Sequence, residues 1–176
     1  MLELLQQRRS VRTYKPQPVE PEKIATLSEA LLRAPTSRNF QPCEFVLVDD
    51  PKKLQQLATA KSHGTSFFAS APLAVVIAAD PTVSDVWVED CSIAAIIVQL
   101  AAESLGLKSC WAQLRLRKHD DKTSASEFVR QLAGLPEGME VPMVIAVGYP
   151  DGDVPGHPRE ALSDKKIHYN QYNQEK

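Results

Sequence analysis

Apolar and polar positions along this chain fall into blocks whose spacing switches between helical and extended. Residues 2–8 read as a short opening helix, and residues 10–18 as an extended stretch ending at two prolines. Pro21 suits the first turn of a helix, where its missing N–H costs nothing. Ile24, Leu27, Leu31 and Ala34 follow at helical spacing and predict one apolar face, stopped by Pro35. A polar loop over residues 36–42 leads into a β-rich run at 44–48, and residues 52–60 predict a second surface helix. Leu73–Ala79 is uninterrupted apolar sequence, the pattern of a strand covered on both faces.

The strongest block is 91–107, with twelve apolar residues in 17 and with Gln99, Glu103 and Gly106 in one narrow polar stripe. A helix this apolar has to be surrounded almost all round, which predicts a place at the centre of the fold, at a subunit interface, or both. Residues 109–114 predict a strand. Ser124 and Glu127 have capping-box spacing, opening a helix over 127–133 that Gly134 stops. Residues 141–147 predict the last core strand, and 151–176 are polar without periodicity. Interleaved helices and strands give an α/β or α+β class. No repeat or linker divides the 176 residues, which at about 150 per domain read as a single domain over 1–176.

Composition narrows the class. A net charge of −2 and 24% charged residues describe an ordinary soluble protein and argue against a general nucleic-acid binder. Cys43, Cys91 and Cys110 are too few and scattered for a disulfide framework and read as small buried hydrophobes of a reducing compartment. No signal peptide is read at the N-terminus, and the longest apolar runs are too short to span a membrane. A cytoplasmic protein is expected. The 7 glycines include no Gly-x-Gly, so neither a dinucleotide fingerprint nor a P-loop is present. The four histidines show no metal-ligand spacing, and Gly-x-Ser-x-Gly is absent, so metal and serine hydrolases drop out.

Two segments carry chemistry. Residues 8–15, Arg-Arg-Ser-Val-Arg-Thr-Tyr-Lys, hold four positive charges and no acid, leaving −6 on the rest of the chain. In an extended segment Ser10 and Arg12 project to one side, and Arg8 at the helix end can join them. Two guanidiniums and a hydroxyl suit a phosphate monoester dianion; a solvated basic face is the competing reading. The second segment, Ala34 to Pro42, places two hydroxyls and two amides between prolines. It forms either a ledge for a flat heterocycle with carbonyl oxygens and ring nitrogens, or simply a capped helix-to-strand loop. Trp111 reads as core by residue type. His63 with Phe67 and Phe68 either lines a pocket or belongs to a loop anchored by aromatics.

In this order the motifs resemble those of the nitroreductase family of FMN-dependent oxidoreductases. Arg-Arg-Ser-Val-Arg-Thr-Tyr (8–14) is similar to its opening motif, and 34–42 followed by 44–48 to its second. Gly-Leu-Lys-Ser-Cys-Trp (106–111), the stretch from Leu135 to Pro150, and His157-Pro158-Arg159 with 166–170 resemble its later segments. The resemblance implies an α+β fold with a mixed, largely antiparallel sheet flanked by helices, in an intertwined homodimer with FMN at the interface. It assigns Arg8, Ser10 and Arg12, with Arg9 beside them, to the FMN phosphate, and brings Arg159 to the same group. Pro35, Thr36, Ser37 and Asn39 would approach the flavin of the other subunit. Trp111, Ala112 and Gln113 would face its ring, and Gly64 would lie near it.

Three features depart from the family pattern. Cys43 stands where a tryptophan is common after Gln-Pro, Ala112-Gln113 replaces a glycine, and the chain lacks the inserted helices that cover the flavin in larger members. An open pocket of broad specificity follows. The implied activity is NAD(P)H oxidation and reduction of a nitroaromatic, quinone or other small planar acceptor, by ping-pong hydride transfer through flavin N5 in one shared pocket. The cofactor carries the chemistry, so no general acid or base and no metal is assigned. A cation near flavin N1 is expected, without a residue to name. Alternatives are another flavin-dependent reduction on the same fold, a protein that holds flavin without turnover, and a basic-patch adaptor with no cofactor.

Overall fold

A computed structural model describes residues 1–174. The apolar run forms strand β2 (Leu73–Ala79), and every one of its residues is buried. Beside it lies β4 (Glu140–Gly148), and these two make the middle of a four-stranded sheet. The edges are β1 (Cys43–Val48) and β3 (Lys108–Gln113), in the order β1-β2-β4-β3. All three ladders are antiparallel. Parallel pairing, anticipated for a mixed sheet, is confined to an isolated bridge between Ser10 and Ser109.

Side chains alternate across a strand, and here the two faces differ in size. Ala74, Val76, Ala78, Val144 and Ala146 pack against α3 (Pro51–Leu57), α5 (Ala125–Ala133) and the turn at Ser66–Ala69. On the other face Leu73, Val75, Ile77, Met143, Ile145 and Val147 meet α2 (Pro21–Leu32) and α4 (Trp87–Ser104). Burying each large side chain contributes about 2 kcal/mol. The larger residues therefore draw the long helix onto that face. Ser124 Oγ accepts from the Glu127 N–H at 3.0 Å, as the capping motif predicts. The Glu127 carboxylate, however, turns to Arg130 and Gln131 instead of closing the box.

Helix α4 begins four residues before the apolar block, because Glu89 and Asp90 suit the positive end of a helix. It ends at Ser104. Gly106, at φ +73°, supplies the left-handed turn that lets the Leu107 N–H reach Ala102 O (2.9 Å) and the Gly106 N–H reach Glu103 O (3.1 Å). Within one chain the helix is enclosed only in part. Ala94, Ala95 and Val98 are buried, while Ile93 and Ile96 are 37% and 39% exposed. At its far end the buried Glu103 carboxylate pairs with Lys108, whose ammonium also donates to Gln7 O at 3.0 Å. This clasp ties α1 (Leu2–Gln7) to α4 and β3. No helix among the described residues is long and apolar enough to cross a membrane.

Candidate functional site

The open edge of β3 organises the basic segment. The Val11 N–H donates to Ser109 O at 3.0 Å, laying residues 10–12 along that edge. Val11 and Tyr14 turn inward and are 2% and 4% exposed, and the Tyr14 hydroxyl donates to Val11 O at 2.6 Å. Burial pushes the Tyr14 phenol far above its usual range. Because Val11 is anchored inward, Ser10 and Arg12 both face solvent, as the alternation predicts. Burial pushes the Cys110 thiol up, and Arg12 and Arg8 pull it down, so both guanidiniums lie within electrostatic reach of β3. Neither has a hydrogen-bond or ion-pair partner among the described residues, and Ser10 offers a free hydroxyl between them. Arg9 diverges to donate to Pro155 O at 2.7 Å.

That bond moors the C-terminal segment. The Gly156 backbone sits against the Gln6 carbonyl so closely that any Cβ would collide with it. Arg159 follows three residues later, within one exposed turn of chain, and pairs with Asp164 at 2.6 Å.

Backbone groups along an edge strand point alternately toward and away from the neighbouring strand. Ser109 turns its carbonyl outward to Val11, and Gln113 turns its carbonyl outward to the Lys61 ammonium at 2.7 Å. Trp111, midway between them, therefore also turns its N–H and C=O outward. Its side chain is 42% exposed, which corrects the core reading: Trp111 shares the face of its partner Ile145 but stands at the sheet's rim. Ala112 is 1% exposed in the opposite core, with its backbone turned to β4. The outer edge is thus presented by Trp111 and Gln113. Burial and the nearby Arg117 hold the Lys61 ammonium below the usual lysine range. Gly64, at φ +77°, lies in the loop that carries Lys61; Phe67 and Phe68 anchor that loop in the core, and His63 is exposed.

The ledge lies at the other edge. Arg38, Asn39 and Gln41 all have positive φ (49°, 58° and 51°), an uncommon cluster for non-glycine residues. The Thr36 hydroxyl accepts from the Gln41 N–H at 3.0 Å, and the buried Asp90 carboxylate accepts from the Ser37 N–H at 2.8 Å and from Ser84 Oγ at 3.0 Å. A cleft of about 480 Å³ opens beside the ledge, lined by Leu31, Thr36, Gln41, Cys43, Asp90 and Ala94. Sequence reasoning missed Asp90 and Lys61. The carboxylate inside an otherwise apolar helix was the available signal for Asp90; nothing in the local pattern marks Lys61.

Cradle and ledge stand at opposite corners of the sheet. Cys43, next to the ledge, pairs with the final residue of β2, whereas Ser109 pairs with Val147 near the other end. Sideways they are three strand spacings apart, about 14 Å, across a sheet covered by helices. One copy of the chain cannot bring both to the same small ligand.

These features define a layered α+β protein with a basic segment along one sheet edge and a polar ledge of positive-φ backbone at the other. The chain belongs to the nitroreductase family, whose model matches residues 5–65 and 58–149. It is similar to an FMN-dependent nitroreductase from Clostridium difficile R20291, at 41% identity, with a TM-score of 0.95 over 98% of this chain and 100% of that one. An Archaeoglobus fulgidus protein, whose name couples NADH dehydrogenase with NAD(P)H nitroreductase, is 35% identical over 85% of this chain and 84% of its own. An NADPH:FMN oxidoreductase from Vibrio harveyi, solved with NAD⁺, is 25% identical with a TM-score of 0.77, over 99% of this chain and 79% of that one.

Proposed function

We propose that the protein is a cytoplasmic, FMN-dependent NAD(P)H oxidoreductase that works as a homodimer and reduces flat acceptors such as nitroaromatics and quinones. The observation that carries this reading is the pair Arg8 and Arg12, whose guanidiniums are unpartnered among the described residues and both act on Cys110 of the edge strand, with Ser10 exposed in the same segment. Two guanidiniums and a hydroxyl match a monophosphate dianion, which ends FMN, and a pyrophosphate would call for glycine-rich backbone that is absent. Bound FMN supplies the two-electron chemistry between NAD(P)H and the acceptor.

The chain's own groups bind and orient. Arg8, Ser10 and Arg12 hold the phosphate, with Arg9 fixing the tail that brings Arg159 toward it. The outward backbone of Trp111 and Gln113 meets the ring edge, with Gly64 in the loop opposite, and Lys61 adds positive charge next to Gln113. Pro35, Thr36, Ser37 and Asn39 of one copy serve the flavin held by the other, since the diagonal separation of ledge and cradle prevents them from serving their own. Ile93 and Ile96, apolar and exposed on α4, supply surface for that pairing. Donor and acceptor take turns in one shared pocket.

The test is a visible absorption spectrum of the purified chain, repeated without oxygen after NADH or NADPH is added. Flavin bands that bleach and return with a nitroaromatic or quinone are expected. Bands that never bleach would mean a flavin-holding protein, and a colourless chain that refuses FMN would overturn the reading.

A further inference from the structure

Cys43 and Cys91 are far apart in sequence, yet their Sγ atoms are 3.6 Å apart. Cys43 opens β1, is half-buried and lines the cleft beside the ledge; Cys91 lies in α4 and is fully buried. In the single chain Cys43 is therefore the more open of the two, and Cys91 stands directly behind it. Their chemistry is unequal. The hydrogen bond between the thiols holds Cys43 below its usual range, although burial and the carboxylates of Asp90 and Glu44 push the other way. That same bond, then burial, pushes Cys91 up. An accessible thiol of lowered pKa next to a protonated resolving thiol is the arrangement that peroxides oxidise selectively. Cys110 has no such thiol neighbour among the described residues: it is 1% exposed, and its thiol donates to Trp111 O at 3.8 Å.

We propose that Cys43 and Cys91 are a peroxide-responsive dithiol that closes a reversible disulfide within the chain. The Cys43 thiolate attacks one oxygen of a hydroperoxide. The O–O bond breaks, Cys43 becomes a sulfenic acid, and the other oxygen leaves with a solvent proton as water or an alcohol. Cys91 then attacks the Cys43 sulfur, and the departing hydroxide takes the Cys91 proton and leaves as water. Two thiols lose two electrons and the peroxide gains them. The sulfurs have about 1.6 Å left to close.

The link acts on the ledge. Pro42 ends the ledge immediately before Cys43, and Asp90, immediately before Cys91, holds the Ser37 N–H. Oxidation therefore ties residues 36–42 to α4 at both ends.

The experiment treats the full chain with hydrogen peroxide in oxygen-free buffer, then alkylates it under denaturing conditions and measures intact mass and peptide linkage. The three thiols of the untreated chain are expected to fall to one, Cys110, with a mass loss of about 2 Da before alkylation that dithiothreitol reverses. Cys110→Ser should still close the link, Cys43→Ser should not react, and Cys91→Ser should stop at a Cys43 sulfenic acid that dimedone traps. Cys43→Ser alters a half-exposed position, so it reports even if Cys91→Ser folds poorly. Retention of all three thiols, a Cys43 sulfinic acid without a link, a bond to Cys110, or a bond between two chains would overturn the proposal.

Discussion

The Asp90 carboxylate, 2% exposed, accepts the backbone N–H of Ser37, 53 residues away, at 2.8 Å. Its second oxygen accepts Ser84 Oγ, so one buried side chain joins α4, the ledge and the loop that precedes the helix. Losing an acceptor of this kind strands the donors it served. Asp90→Ala should cost about 2 kcal/mol in unfolding free energy and lower FMN retention, because the strained backbone at 38–41 loses its tether. Urea titration and flavin content after desalting check both, and an unchanged ledge and stability would show that the tether is dispensable.

The Arg8 and Arg12 side chains make no hydrogen bond or ion pair among the described residues, so truncating them should leave the fold alone. The double variant Arg8→Ala/Arg12→Ala is expected to keep the apoprotein's stability within about 0.5 kcal/mol. It should weaken FMN binding by about 10²-fold or more, as two charge-assisted contacts are lost. Fluorescence titration of apoprotein with FMN measures this. Riboflavin, which has no phosphate, should bind the variant and the parent chain alike.

Ile93 and Ile96 are the apolar residues that α4 turns outward. Ile96→Glu should shift sedimentation from dimer to monomer, and the monomer should lose its flavin, since the ledge would no longer meet a cradle. A monomer that retains stoichiometric FMN would place the whole site in one chain.

Acid should weaken the fold through two backbone-bound carboxylates. Asp50 accepts the N–H groups of Lys53 and Lys52 at the start of α3, and Asp120 those of Lys122 and Thr123 in a turn; both are held below the usual 3.8. A folded-state value below the unfolded one means the unfolded chain binds more protons. Their stabilisation is therefore complete above pH about 4 and disappears as pH falls through the depressed folded values. Asp50→Asn/Asp120→Asn keeps the acceptors but cannot titrate, so its melting temperature should fall less steeply than the parent's below pH 4.

Local pattern carried the elements well and the contacts between them poorly. The run at 73–79 could only be a doubly covered strand, and the spacing of Leu27 and Leu31 fixed the buried side of α2. Trp111 was read as core by size, and only the strand order shows that it stands at a rim. Alternation did place Ser10 and Arg12 on one side, because it acts over neighbouring residues. Asp90 with Ser37, Lys61 with Gln113, and Cys43 with Cys91 are partners about 50 residues apart, brought together by antiparallel strands and the return of α4. Such pairs follow from topology, which residue spacing does not encode. The positive φ values at 38, 39 and 41 were equally hidden, since none of these residues is glycine.

Ser10 is bridged to Ser109, and the next outward-facing positions on the same strand are Trp111 and Gln113. A strand rises about 3.3 Å per residue, so Ser109 and Gln113 are roughly 13 Å apart along a rigid line. Under the proposed function, strand β3 is in this sense a gauge, with the charge-binding jaw clamped at one end and the ring-facing jaw at the other. A ligand is measured by the distance between its anion and its plane, before any single contact discriminates. One residue inserted between 109 and 113 would lengthen the gauge by a single rise and reverse which groups face outward, leaving both jaws intact but mismatched to the same molecule.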